Sequence, residues 1–192
     1  MSPLQRLPIE SNNEESTLQI RTLGADELSK IRHIDRSEEI RIGYRQAGTE
    51  LIEMSVCWDD AGWLDGDGEH SYGQMIRGAK ELLELGGTAI GALDGNRLAG
   101  IAIYRPRLSE MIGQLGLLHV SNSHRRLGVA SALFREVLRL ARNDAATHLY
   151  VSATPTQSAI SFYLRQGFVP TDTPHPELLA LEPEDIHMVL AL

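Results

Sequence analysis

Apolar positions along the chain follow two periods, and the changes from one period to the other divide it into elements. Leu18 to Leu23 is a short run of strand type. From Ala25 to about Arg36, Leu28, Ile31 and Ile34 fall at helical spacing, with Asp26 in the first turn where an acid suits the helix dipole. Tyr72 to Leu85 repeats the helical pattern through Met75, Ile76, Ala79, Leu82 and Leu83, and Gly86 and Gly87 close it. Thr88 to Leu93 and Arg97 to Tyr104 read as antiparallel strands joined through Asp94-Gly95-Asn96. Gln114 to Val120 is the next strand. His124 to Arg142 is a long helix with the apolar stripe Val129, Leu133, Val137 and Leu140, and Thr147 to Ala153 is a further strand. Another helix is predicted with Thr154 as N-cap, Pro155 at its first position, Gln157 as capping-box partner and Gly167 at its end. Ile186 to Leu192 can form a last strand. Ile40 to about Ser71, with Trp58, Trp63 and several acids and glycines, is expected to supply loops and short helices around a cleft. The order β-α-α-β-β-β-α-β-α-β places the chain in the α/β class.

Residues 1 to 17 are polar and acidic, which predicts a flexible tail and leaves 18 to 192 as one domain. A net charge of -8, from 26 acidic and 18 basic residues, argues against nucleic acid as a partner and suits a cationic amine. Within this acidic chain His124, Arg125 and Arg126 form a small basic cluster. Cys57 is the only cysteine, so no internal disulfide can form and a reducing compartment fits. The start of the chain has no apolar signal-type segment, and no run of eighteen apolar residues occurs. The expectation is a cytoplasmic protein with no membrane partner. Asp65, Asp67 and Glu69 resemble the opening of a calcium loop, but His70 stands where that loop needs glycine and Ile76 where it needs glutamate. The seven histidines are scattered, and no metal is expected.

Two segments carry specific chemistry. In Leu115 to Arg142 a strand ending at Val120 leads through a glycine-containing turn into an amphipathic helix, and Arg125, Gly128 and Ala130 fit R/Q-x-x-G-x-G/A. Small residues let backbone N–H groups approach an anion at a helix N-terminus, where the dipole favours negative charge. In Thr154 to Phe168, the residues Ala159, Tyr163, Gly167 and Phe168 match N-x-x-A-x-x-x-Y-x-x-x-G-F. With both motifs in this order, the chain closely resembles the GNAT superfamily of N-acetyltransferases. The resemblance implies the GNAT acyl-CoA N-acyltransferase fold, a central mixed sheet with helices on both faces, and acetyl-CoA as co-substrate.

It further implies that main-chain groups of Leu118, His119 and Val120 pair with the pantetheine arm. Arg125, Arg126, Leu127, Gly128, Val129, Ala130 and Ser131 would wrap the pyrophosphate, and the Leu118 N–H would meet the thioester carbonyl. Tyr163 matches the position that donates a proton to the departing thiolate, a suitable task for a phenol of pKa near ~10. Thr156 stands where the family often has Asn, and it can still offer one hydrogen bond to the pantetheine. Val151 stands where some relatives carry a glutamate base, and valine cannot take a proton.

The family's base positions on the strand before the loop lie an even number of residues before Val120, at Gln114, Gly116 and Leu118. Strict alternation along a strand turns His119 the other way. Gln114 can only orient water, which would relay the proton to bulk or to a remote acid. Asp35, Glu38, Glu39, Glu182, Glu184, Asp185 and His187 are read as solvated surface. The expected activity is acetyl transfer to a primary amine of a small molecule or peptide. The alternatives are a non-catalytic acyl-CoA-binding module and a transferase for a larger acyl donor; a homodimer is a possible assembly.

Overall fold

The structure, a computed structural model, describes residues 18–192. The expected N-terminal tail lies outside the described residues. In chain order the elements are β1 (Gln19–Thr22), a 3-10 helix (Ala25–His33), β2 (Glu38–Ala47), β3 (Glu50–Asp60), α1 (Tyr72–Glu84), β4 (Thr88–Asp94), β5 (Arg97–Ser109), β6 (Ile112–Val120), a 3-10 turn (Asn122–His124), α2 (Val129–Asn143), β7 (His148–Ala153), α3 (Gln157–Arg165), β8 (Val169–Pro170), α4 (Pro176–Leu181) and β9 (Ile186–Ala191). Seven strands form a mixed sheet in the order β1-β4-β5-β6-β7-β9-β8. Its only parallel neighbours among the described residues are β6 and β7.

Both faces of this sheet are covered, which is why its central strands read as near-continuous apolar runs. On one face Leu28, Ile31 and Ile34 join Ala79 of α1 against Ala89, Ile101 and Ile103. On the other, α2 and α3 bring Leu133, Phe134, Val137 and Ile160 against Ala102, Leu149 and Val151. Leu133 and Val137 are fully buried, so truncating Leu133 to alanine should cost about 2–5 kcal/mol. No helix among the described residues is long and apolar enough to cross a membrane.

Four expectations need correction. The segment after β1 winds as a 3-10 helix, and Ile40 to Ser71 is dominated by the β2–β3 hairpin rather than by loops and short helices. Ile40, Ile42 and Tyr44 do alternate, but the hairpin is a separate two-stranded sheet whose Ile52 and Trp58 stay 37% and 42% exposed. Its two-residue turn, Gly48-Thr49, has positive φ only at glycine and lacks the Asn-Gly or Asp-Gly signal. The helix expected from His124 begins at Val129, because Arg126 and Gly128 adopt left-handed backbone with φ 63 and 81. The N-cap of α3 is Thr156, not Thr154: Thr156 Oγ1 accepts from Ala159 N, while Tyr44 N donates to Pro155 O at 2.9 Å and holds the preceding residues extended. β8 and α4 have no counterpart among the elements expected from the sequence.

Candidate active site

The site begins where two strands part. The parallel pairing of β6 with β7 covers Ile112↔His148, Gly113↔Leu149 and Gln114↔Tyr150 and then stops, although β6 runs on to Val120 and β7 to Ala153. On its other side β6 stays paired with β5 as far as Gly100↔Val120. The backbone of Leu118, His119 and Val120 therefore presents a free edge to the gap, the kind of edge an extended ligand can join as an added strand. The gap opens into a cleft of about 920 Å³ lined from the N-terminus of α2 to α4.

A bulge in β6 resets the side-chain alternation. Ile103 pairs with Leu117 but Tyr104 with Leu115, so Gly116 is an extra residue. Arg105 pairs with Gln114 and Ile101 with His119, which places Gln114, Leu117 and His119 on one face and Leu115 and Leu118 on the other. The expectation that His119 turns away from Gln114 is therefore corrected, since it counted alternation straight through Gly116. At Gly116 a β-carbon would lie 2.9 Å from the Leu82 side chain of α1, so glycine lets this helix approach the bulge.

At one end of the cleft the loop from Arg125 to Gly128 feeds α2. The first intrahelical bond is donated by Ala132 N to Gly128 O at 2.9 Å, so the N–H groups of Val129, Ala130 and Ser131 precede the ladder. A β-carbon at Gly128 would meet no atom within 4 Å, so the space before these amides is open. Arg126, Leu127 and Gly128 are exposed. Arg125 is engaged within the protein: it lies 3.2 Å from Glu38, donates to Arg36 O at 3.1 Å and reaches Val120 O at 3.5 Å. Arg36 pairs with Asp60, and His124 with Asp94 at 3.2 Å. Arg126 forms no ion pair among the described residues. This end of the cleft therefore suits an anionic pyrophosphate, with three backbone donors and one uncommitted cation.

Tyr163 reaches the cleft from α3 and is 7% exposed. Its position follows from how α3 ends. Phe168 N donates to Tyr163 O at 3.1 Å and Gly167 N to Leu164 O at 3.0 Å, with Gly167 at φ 92, and the Tyr163 and Phe168 rings pack edge to face at 5.4 Å. These are the bonds and the apolar contact of a glycine-terminated helix, so Tyr-x-x-x-Gly-Phe is a C-cap that fixes the phenol. Burial, and then the charge of Asp185, raise this phenol above its ordinary pKa. Thr156, 6% exposed, commits its hydroxyl to the cap and to Ser158 Oγ at 3.1 Å.

Gln114 is 6% exposed and accepts from Arg105 Nη1 at 3.4 Å. His119 packs its ring edge to face on Trp63 at 4.7 Å, and desolvation together with the cations Arg36 and Arg125 pushes it down to about 3. Of the groups expected to be solvated surface, Glu38 and Asp185 are only partly exposed and line the cleft, whereas Glu182, which also lines it, is exposed as expected. Asp185 is pushed up to about 7, by desolvation first and by Glu182 second. His187 is also buried, with Nδ1 2.8 Å from the Tyr150 hydroxyl and 3.3 Å from Ser152 Oγ. Asp35, Glu39 and Glu184 are exposed. Asp185 and His187 reach this region because β9 inserts beside β7, Ile186 pairing with Ala153, and no local pattern in the sequence encodes that pairing.

The chain is similar to several known acetyltransferases. N-acetyltransferase 8F1 of Rattus norvegicus is 36% identical over 97 residues, 48% of this chain and 44% of the relative. N-acetyltransferase 8B of Mus musculus is 35% identical over 85 residues, 42% of this chain and 37% of the relative. The chain thus matches less than half the length of these relatives. Among solved structures, nourseothricin acetyltransferase superposes with a TM-score of 0.67 at 20% identity, over 91% of this chain and 98% of that one. The PaiA N-acetyltransferase of Thermoplasma acidophilum, in complex with coenzyme A, gives 0.61 at 15% identity over 92% and 99%. A Brucella melitensis acetyltransferase in complex with acetyl-CoA gives 0.54 at 14% over 92% and 89%. These likenesses establish a shared fold. A family model described as the acetyltransferase (GNAT) family matches residues 49–168, a span that holds the parted strands, the loop before α2 and Tyr163. With that match over more than half its length, the chain belongs to the GNAT family of acetyltransferases.

Proposed function

We propose that the protein transfers the acetyl group of acetyl-CoA to a primary amine of a small molecule or peptide. The observation that carries this reading is the parting of β6 from β7 after Gln114 and Tyr150, with the open N-terminus of α2 at one end of the gap and Tyr163 in the same cleft. The names of the relatives, N-acetyltransferases 8F1 and 8B, support transfer to nitrogen.

In this reading the amides of Val129, Ala130 and Ser131, with Arg126, hold the pyrophosphate, and the free edge at Leu118, His119 and Val120 aligns the pantetheine arm. Arg125 supports the loop through its bonds to Glu38 and to backbone carbonyls. The Leu118 N–H polarises the thioester carbonyl, and Tyr163 presents its hydroxyl to the departing sulfur. Because its phenol is raised, Tyr163 stays protonated across the physiological range and serves as a donor throughout it. The test is calorimetry with acetyl-CoA followed by detection of CoA thiol released on a panel of primary amines. Binding with thiol release is expected; binding with no release on any amine would favour a non-catalytic acyl-CoA-binding module.

A further inference from the structure

We infer that Asp185 takes the proton from the acceptor's ammonium group, an inference that rests on the acetyl-transfer reading above. An alkylammonium has a pKa near ~10 and no lone pair for attack until it loses a proton. Asp185 immediately precedes β9, whose first residue pairs with Ala153 at the end of β7, so it stands on the β7 side of the parted strands. It lines the same cleft as Tyr163 and Gln114. Its charge is felt at Tyr163, so the two act in one neighbourhood.

Other titratable groups are less suited. His119 is pushed down to about 3, His187 is lowered by desolvation, and the Glu38 carboxylate is held by Arg125 and by Ser158 Oγ at 3.0 Å. The charged and titratable groups that act with Asp185 are Glu182 in the loop after α4 and Tyr163 on α3, and His187 follows two residues further along β9. No ion pair engages its carboxylate among the described residues. Partial burial and the like charge of Glu182 push this carboxyl up to about 7. An ordinary carboxylate would be weaker than the amine by about six pKa units, whereas Asp185 is weaker by about three, within reach of a general base.

The acceptor ammonium gives one proton to the Asp185 carboxylate, which passes it to solvent. The neutral nitrogen forms its bond to the acetyl carbon as the carbon–sulfur bond breaks with both electrons leaving on sulfur. Sulfur takes the Tyr163 proton, and the second proton of the nitrogen restores the phenol. One proton is released for each acetyl group transferred.

The experiment uses the full chain with acetyl-CoA as donor and spermidine and lysine amide as probe acceptors, comparing Asp185→Asn, Glu182→Gln and Glu184→Gln. The expected result is unchanged acetyl-CoA affinity in Asp185→Asn and a loss of about 10²-fold in kcat/KM at pH 7. That deficit should shrink toward pH 10, where solvent deprotonates the amine. Glu184→Gln, exposed and outside the cleft, should keep the wild-type profile. Carboxyl-detected NMR of the substrate-free protein should show Asp185 titrating near 7 and Glu182→Gln lowering its midpoint. Wild-type transfer with an Asp185→Asn profile that overlays it, or an Asp185 midpoint near ~4, would overturn the inference and leave the transferase reading intact. A wild-type chain that binds acetyl-CoA and acetylates neither these probes nor any amine of the wider panel would overturn both.

Discussion

The carboxylate of Glu38 lies 3.2 Å from Nη1 of Arg125, and through this contact the β2–β3 hairpin holds the loop that precedes α2. Glu38 also accepts from Ser158 Oγ at 3.0 Å, so one side chain joins the hairpin, the loop and the start of α3. Much of the Arg125 charge is therefore compensated within the protein, whereas Arg126 stands exposed one residue later. Arg126→Ala should weaken acetyl-CoA binding by roughly three- to tenfold and reduce its salt dependence, the size expected for an exposed ionic contact of about 1 kcal/mol. Arg125→Ala should lower the melting temperature more than the affinity. Calorimetry at two ionic strengths with parallel thermal melts checks both, and an unchanged affinity in Arg126→Ala would remove that residue from the phosphate site.

Gly128 carries φ 81 directly before the amides of α2, with nothing within 4 Å of a β-carbon built there. Conformation rather than crowding sets the cost of a side chain: an L-residue in left-handed backbone costs about 1–2 kcal/mol, and aspartate is among the residues that bear it best. Gly128→Asp should therefore fold, yet lose acetyl-CoA affinity by tenfold or more, because its carboxylate would stand where a phosphate must come. A folded variant that binds as tightly as the parent would place the pyrophosphate elsewhere.

Tyr163→Phe separates the two tasks of this residue. The ring packs on Phe168 at 5.4 Å and helps close α3, and phenylalanine keeps that contact. Folding and acetyl-CoA binding should persist while turnover falls by roughly ten- to ten-thousand-fold, the range for loss of a positioned acid. Because burial raises the phenol, the wild-type rate should show no alkaline limb from Tyr163 below its ordinary value of 10.0. An unchanged rate in the variant would leave Tyr163 with packing alone.

Local rules make the helices around the cleft legible. The stripe Val129, Leu133 and Val137 sets the buried face of α2, and Tyr163, Gly167 and Phe168 encode the end of α3. What local rules miss depends on residues distant in sequence. Thr156 rather than Thr154 caps α3 because Tyr44, over a hundred positions earlier, bonds to Pro155 O. Asp185 enters the cleft because β9 pairs with β7. The bulge at Gly116 defeats the parity count along β6, since one extra residue exchanges the faces of everything beyond it. Glycine in a strand is the one local sign of that bulge, and it is ambiguous next to Gly113, which instead meets the Tyr104 ring.

His119 shares its face of β6 with Gln114, yet its protonation works against a part in proton transfer near neutral pH. Desolvation, Arg36 and Arg125 push its pKa from 6.5 to about 3. The unfolded chain therefore binds this proton more readily than the folded one between those values, so the stability His119 confers is complete above 6.5 and is lost as pH falls toward 3. Asp185 has the opposite sign: raised from 3.8 to about 7, its contribution is complete below 3.8 and is lost as pH rises through 7. Melting temperatures of wild type, His119→Gln and Asp185→Asn between pH 4 and 8 should separate them. His119→Gln loses the Trp63 ring contact at every pH, which offsets its curve uniformly, but its curve should also fall less steeply on the acid side. Asp185→Asn should fall less steeply on the neutral side. A His119→Gln curve parallel to wild type from 4 to 6.5 would mean that the imidazole is solvated in the folded protein, and would return it to the set of groups able to accept the amine's proton.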